Sequence, residues 1–179
     1  MFKTVPLDKF YRLIGSGPCV LITSGKDKKV NLAPIAWTTP INDEPPLVGI
    51  SVAETHYTAE LILETREFAI NIPGKGLLPI VMAAGKVSGR KRDKFKLTGL
   101  TAKNSDKISA PHLDECAGYL ECRVKDFHKY DGVIFFVAEV LAAKARKELF
   151  DEYWIPEKAK TVHHLGNGYF IVSGKKIKA

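Results

Sequence analysis

"GYLECRVKD" (residues 118–126) alternates with a period of two: Leu120, Cys122 and Val124 share one side, and Glu121, Arg123 and Lys125 share the other. Successive side chains of an extended strand point to opposite faces, so the stretch predicts a half-buried antiparallel strand. Downstream, "GVIFFVAEVLAAKA" (residues 132–145) reads as another strand, with a helix-like composition near Leu141. "NGYFIVSG" (residues 167–174) reads as a short last strand.

Upstream the rhythm is similar. "PCVLITSG" (residues 18–25) predicts a strand closed by a turn at "GKDKK", and "VNLAPIAWTTPIN" (residues 30–42) begins as its hairpin partner. Pro34 has no N–H to donate, which places that strand at an edge or interrupts it. "PPLVGISV" (residues 45–52) is apolar on successive residues and suits a strand covered on both faces. "THYTAELILETRE" (residues 55–67) predicts a helix with Thr55 or Thr58 as cap and with Tyr57, Leu61 and Ile62 on one face. "FAINIP" returns to strand, and "GLLPIVMAAGK" predicts a short helix with Pro79 in its first turn. Many short strands, a few short helices and no βαβ rhythm predict a mainly β fold, a closed or nearly closed antiparallel barrel with peripheral helices. One domain over residues 1–179 accounts for the length.

Composition sets bounds. The net charge of +7 favours anionic partners without choosing among them. Cys19, Cys116 and Cys122 match no zinc or redox spacing, so reduced thiols in a cytoplasmic protein are expected. The N-terminus lacks the apolar core of a secretory signal, and no apolar run is long enough for a membrane helix. Neither a G-x-G-x-x-G after a strand nor a phosphate-binding P-loop is present. The five histidines sit in no nucleophile or metal motif; adjacent His163 and His164 predict one packed and one exposed ring, and no metal is expected.

Three stretches suggest a binding site. "KVSGRKRDKFK" (residues 86–96) carries six cations and one acid, Asp93, which would partner a nearby cation and fix the loop. Such a run serves a solvated face, a nucleic acid or one compact phosphate; aromatics do not interleave with the basic residues as a nucleic-acid barrel would need. "SVAETHYTAEL" (residues 51–61) runs from a strand into a helix start, a place that favours anions. "NLAPIAWTT" (residues 31–39) offers a smooth small-residue surface to a flat ring or to a packed neighbour.

The order and spacing of "VNLAPIAWTTPINDEPPLVGISVAETHYTAELILETREFAINIP", "VSGRKRDKFKLTGLT", "GYLECRVKD" and "HHLGNGYF" resemble the flavin reductase-like family, nearest its flavoredoxin-type branch. The resemblance implies an FMN-binding split β-barrel and a homodimer with one FMN per subunit. It implies that Asn31, Ala33, Pro34, Ala36, Trp37 and Thr38 line the flavin ring or ribityl chain. Ser51, Val52, Thr55, His56 and Thr58 would lie near the ribityl chain and phosphate. Ser88, Gly89, Arg90 and Lys94 belong to the family's S-G-x-x-x-D-K-F pattern, within which the Lys91–Arg92 pair is more basic than the pattern requires. Tyr169, Phe170 or Trp154 would cover the flavin or simply pack. The implied activity is reduction of FMN at N5 by NADH or NADPH, with electrons passed to free flavin, a metal complex or a protein, and no protein side chain acting as catalyst. His128 departs from the place where relatives carry a nicotinamide-binding histidine. The alternatives are a flavoredoxin-like FMN carrier without NAD(P)H activity and a basic nucleic-acid-binding barrel. The leading reading involves neither nucleic acid nor membrane.

Overall fold

The computed structural model describes residues 1–15 and 17–177. The alternating stretch forms the first part of β8 (Gly118–Tyr130), the central strand of the sheet. It turns at Asp131 and Gly132 into β9 (Val133–Ala145), so the helix-like end near Leu141 is strand. The other strands are β1 (Val20–Lys26), β2 (Lys29–Ile35), β3 (Thr38–Asn42), β4 (Leu47–Ala53) and β5 (Glu67–Ile72). These seven form one antiparallel sheet in the order β2-β1-β5-β8-β9-β4-β3. Short β6 (Ala102–Lys103) pairs with β7 (His112–Leu113), and β10 (Val162–Gly166) with β11 (Tyr169–Val172). The helices are α1 (Tyr57–Thr65), α2 (Leu78–Gly85), α3 (Lys94–Thr98) and α4 (Pro156–Ala159).

The sheet curls, which brings β2 against β4 without a ladder between them. Val20, Ile22, Ile35, Ile50, Phe68 and Phe136 fill the inside of the curl, closed by Ala59 and Ile62 of α1. A second core, with Cys19, Leu21, Leu32, Val81, Ala84 and Val162, lies on the other side of β1 and β2 beneath α2. The uninterrupted apolar sequence of β1 follows from these two cores, because alternate residues enter opposite ones. Fully buried Phe68 and Phe136 each contribute on the order of 2–3 kcal/mol of apolar transfer energy. Gly49 permits the close packing of β4 on β9, since a β-carbon there would lie 2.4 Å from the Phe135 ring.

Pro34 lies within continuous β2 at the sheet edge, where its missing N–H leaves no ladder bond broken. The stretch at residues 30–42, which begins as the hairpin partner of β1, ends as a separate strand, β3, paired with β4. Period-two alternation also places Glu121 on a polar face, but this residue is fully buried. The loop at residues 104–111 covers it, and its carboxylate accepts the N–H groups of Asp106 and Lys107 at 3.0 and 2.6 Å. The same loop is tied down by Glu67, which accepts both the N–H and the hydroxyl of Ser109 at 2.7 Å. Partial burial alone would raise the Glu67 carboxyl, yet these bonds and Arg123 hold it below the usual range.

Candidate functional site

A cleft opens between the β2 edge, the β4–α1 turn, the end of α2 and the loop at residues 86–89. It has two joined compartments that share Pro34, His56, Gly85 and Lys86. One, of about 410 Å³, is mainly apolar, with Cys19, Ile35, Ala36, Trp37, Val81, Met82 and Phe170 in its walls. The other, of about 460 Å³, is polar and is lined by Asn31, Thr55, Tyr57, Thr58, Ser88, Gly89 and Lys94 among others.

The polar compartment follows from local structure. Asn31 is buried on β2; its Nδ2 donates to Thr58 Oγ1 at 2.9 Å, while its Oδ1 has no hydrogen-bond partner among the described residues. A buried acceptor without a donor costs on the order of 1–3 kcal/mol unless a ligand supplies one. Gly89 makes room for it, because a β-carbon at residue 89 would sit 2.1 Å from Asn31 Oδ1. Lys94 is also buried, has no ion pair among the described residues, and is pushed below the usual lysine range by burial. A buried cation in one compartment with an orphaned acceptor and an exposed hydroxyl, Ser88, suits an anionic polyol.

The predicted site residues divide accordingly. Asn31, Ala33, Pro34, Thr55, His56, Thr58, Ser88, Gly89 and Lys94 line the polar compartment. Pro34, Ala36, Trp37, Ser51 and His56 line the apolar one. Three lie elsewhere. Val52 is buried in the first core, because β4 alternates and Ser51 takes the cleft side. Thr38 lines an adjoining hollow of about 300 Å³ with Phe10, Tyr11, Trp37 and Phe135. Arg90 stays outside both compartments: its guanidinium donates to Glu60 at 2.6 and 3.2 Å and to the Thr55 carbonyl at 2.8 Å. It thereby staples the loop to the start of α1.

Local expectations are corrected in the same region. Neither Thr55 nor Thr58 caps α1; His56 occupies that position without a side-chain cap bond, and the Thr58 hydroxyl turns inward to Asn31. Tyr57 leaves the Leu61–Ile62 face to line the cleft, with the Arg90 guanidinium 5.4 Å from its ring centre. Asp93 binds no cation among the described residues; it caps α3 by accepting the N–H groups of Phe95 and Lys96. His163 and His164 are both half-buried, not one packed and one exposed. Hairpin pairing brings His164 into the cleft 4.9 Å from the Phe170 ring, where burial and then Arg12 hold its imidazole below the usual range. Tyr169 is exposed, and Trp154 packs edge-on against Phe150. His128 is exposed and pairs with Asp126.

Several cleft residues escaped the sequence reading: Cys19, Tyr57, Val81, Met82, Gly85 and His164. Most are apolar or small and carry no chemical motif. Burial pushes the Cys19 thiol up to about 11, so it is neutral near pH 7 and a wall residue rather than a nucleophile.

A curled antiparallel sheet flanked by a half-apolar, half-cationic cleft defines a small-ligand-binding barrel. The model of the flavin reductase-like domain matches residues 12–163, and the chain belongs to the flavin reductase-like family. An uncharacterized protein of Escherichia coli (strain K12), YddH, is 35% identical over 191 residues and covers 100% of both chains. The flavoredoxin of Methanosarcina acetivorans superposes with a TM-score of 0.87 at 26% identity, covering 100% of this chain and 95% of that one. An FMN-binding protein of Thermus thermophilus, solved with bound p-hydroxybenzaldehyde, gives 0.85 at 23% identity, covering 100% and 98%. The likeness to these structures extends to the split-barrel fold. Among the described residues, no helix is long and apolar enough to cross a membrane.

Proposed function

We propose that the protein binds FMN in this cleft and acts as an NAD(P)H-dependent reductase of flavin or another acceptor. The observation that carries the reading is the pairing of buried, unpaired Lys94 with the orphaned Asn31 Oδ1 in a polar compartment that opens into an apolar one. FMN presents the matching features: a dianionic phosphate, a hydroxylated chain and a flat apolar ring. The family's name and the FMN named for the Thermus protein support the same reading.

Bound FMN would supply hydride and electron transfer. The chain's part is binding and orientation. Lys94 and Ser88 would hold the phosphate by charge and hydrogen bonding. Asn31 Oδ1 would accept from a hydroxyl of the chain, and Thr58 fixes the amide so that this oxygen faces the ligand. Pro34, Ala36 and Met82 would bound the ring, and Phe170 with neutral His164 would keep water from it. The donor NADH or NADPH and a cytoplasmic location belong to this reading.

A homodimer is part of the proposal. Phe10, Ile14, Trp37 and Ile41 are exposed, and the hollow beside Trp37 is continuous with the cleft through Ala36 and Ser51. A second copy seated there would close the cleft from the outside. An electron carrier without NAD(P)H activity is the second reading, favoured by the likeness to a flavoredoxin.

The deciding experiment is the visible spectrum of protein purified without added cofactor, with mass identification of the released chromophore, followed by NAD(P)H titration. Yellow protein releasing FMN, and catalytic NADH or NADPH oxidation, are expected. FMN without oxidation would favour the carrier, and a colourless protein that rejects added FMN would overturn the reading. Sedimentation analysis should give twice the chain mass.

A further inference from the structure

The hollow that adjoins the cleft differs from it in kind. It measures about 300 Å³ and meets the apolar compartment at Ala36, Trp37 and Ser51, which line both. Tyr11, Trp37 and Phe135 give it aromatic walls. The Tyr11 and Trp37 rings lie 5.8 Å apart and are tilted by 58°, so they form a wedge rather than a closed stack. Phe135 stands opposite Ser51 in the β4–β9 ladder, and its ring lies against Gly49, where a β-carbon would be 2.4 Å away. Trp37 remains 50% exposed.

Charge separates the two places. The chain carries a net +7, and the cleft presents Lys86, Lys94 and His56. Among the described residues in the walls of the hollow there is no Asp, Glu, Lys, Arg or His. Arg12, next in the chain to Tyr11, sits instead against the β10–β11 hairpin, its Nε 3.0 Å from the position of a β-carbon at Gly166. The polar groups left in the hollow are hydroxyls, among them those of Thr38 and Ser51.

Small-molecule sites are mostly apolar and aromatic with a few placed polar groups, and roughly 300 Å³ is the lower end of their size. A ferric chelate or a carboxylated aromatic carries negative charge that would be desolvated here without a partner cation. An uncharged flat ring meets no such cost, stacks on aromatic walls, and can accept a hydroxyl's hydrogen bond on a carbonyl oxygen. We propose that the hollow binds a small uncharged quinone, the electron acceptor of the reductase described above. This rests on the flavin reading. The reduced flavin anion transfers a hydride from N5 to the quinone and returns to oxidised flavin; a solvent proton completes the hydroquinone, and NADH or NADPH supplies the electrons. A second copy over exposed Phe10, Ile14 and Ile41 would roof the hollow.

The test mixes FMN-loaded protein, photoreduced without oxygen, with duroquinone in a stopped-flow instrument. Duroquinone is uncharged, and its fully substituted ring does not add to thiols. Flavin reoxidation should saturate with duroquinone concentration. Thr38→Lys places a cation in the hollow and should slow duroquinone about tenfold while speeding a naphthoquinone sulfonate, with FMN content unchanged. Thr38→Val keeps the shape, removes the hydroxyl and should weaken duroquinone about threefold. Reoxidation that rises linearly with duroquinone and is equal in all three proteins marks collision at an open flavin edge and overturns the proposal. Equal slowing of both quinones in Thr38→Lys overturns the uncharged class. A Thr38→Lys protein slower with NADH but not with duroquinone assigns the hollow to the donor's nicotinamide and also overturns it. Equilibrium dialysis of duroquinone against flavin-free protein separates the two readings. Binding that Thr38→Lys weakens upholds the hollow even where the protein takes up no FMN. No binding by flavin-free or FMN-loaded protein, the result if a second copy fills the hollow, overturns the proposal whatever the flavin content.

Discussion

Two buried ionisable groups, Glu121 under the loop at residues 104–111 and Lys94 in the cleft, receive opposite treatment. Glu121 is fully buried, and two backbone N–H groups satisfy its carboxylate. Among the described residues Lys94 has no ion pair, and Asn31 Oδ1, which lines the same compartment, has no donor. Low dielectric strengthens a polar interaction that is made and penalises one that is missing. The first arrangement holds a loop onto the sheet. The second leaves free energy to be recovered by a ligand. The satisfied carboxylate holds structure together, whereas the unsatisfied amide and cation line the cleft; Ser24 Oγ and His112 Nδ1, also without a partner among the described residues, lie outside it.

The largest expected effect comes from breaking the satisfied side. Glu121→Ala strands two N–H groups and leaves a cavity, so urea denaturation should show a loss of about 3–4 kcal/mol. FMN affinity of the protein that remains folded should be unchanged. The unsatisfied side should respond in reverse. Lys94→Met removes a desolvated cation, so the ligand-free protein should be as stable as wild type or more so, while the FMN Kd rises about a hundredfold, or about 2.8 kcal/mol. Loss of stability in Lys94→Met without FMN would break the comparison. Gly89→Ala forces a β-carbon against Asn31 Oδ1 and should weaken FMN about tenfold by fluorescence titration.

Acid sharpens the contrast. The Glu67 carboxyl is held below its usual value by Ser109 and Arg123, so its contribution is complete above the ordinary carboxylate range and is lost as pH falls through the lowered value. Thermal melts should show a smaller acid-side decline in Glu67→Gln than in wild type. Cys116 and Cys122, raised to about 12 by burial, should resist a disulfide reagent at pH 8 until the protein unfolds. Reaction of either thiol in the folded protein would show that this region opens locally.

Much of the barrel was legible because its strands carry local patterns: alternation in β8, apolar runs in β1 and β4, and a turn at Lys28 between β1 and β2. The register shifts between β8 and β9, which leave Leu141 of β9 and Lys125 of β8 unpaired in the ladder, were not legible, and neither was the separate strand β3. Within the cleft, Asn31, Pro34, Ser88 and Lys94 were singled out from the three stretches and the resemblance that joins them. Val52, Thr38 and Arg90 lie outside the two compartments: Val52 turns into the first core, Thr38 lines the adjoining hollow, and Arg90 pairs with Glu60. Met82, His164 and Phe170 reach the cleft from elements distant in sequence, and no spacing rule connects them.

The sequence by itself determined the antiparallel β class, the family membership and the concentration of charge at residues 86–96, since each is a property of local order along the chain. Only the tertiary structure decided which cation of residues 86–96 enters the cleft and which acid is buried. Those outcomes depend on burial and on partners far apart in sequence: Arg90 finds Glu60 across 30 residues, Asn31 finds Thr58 across 27, and Glu121 is sealed by a loop that the alternation of β8 does not encode.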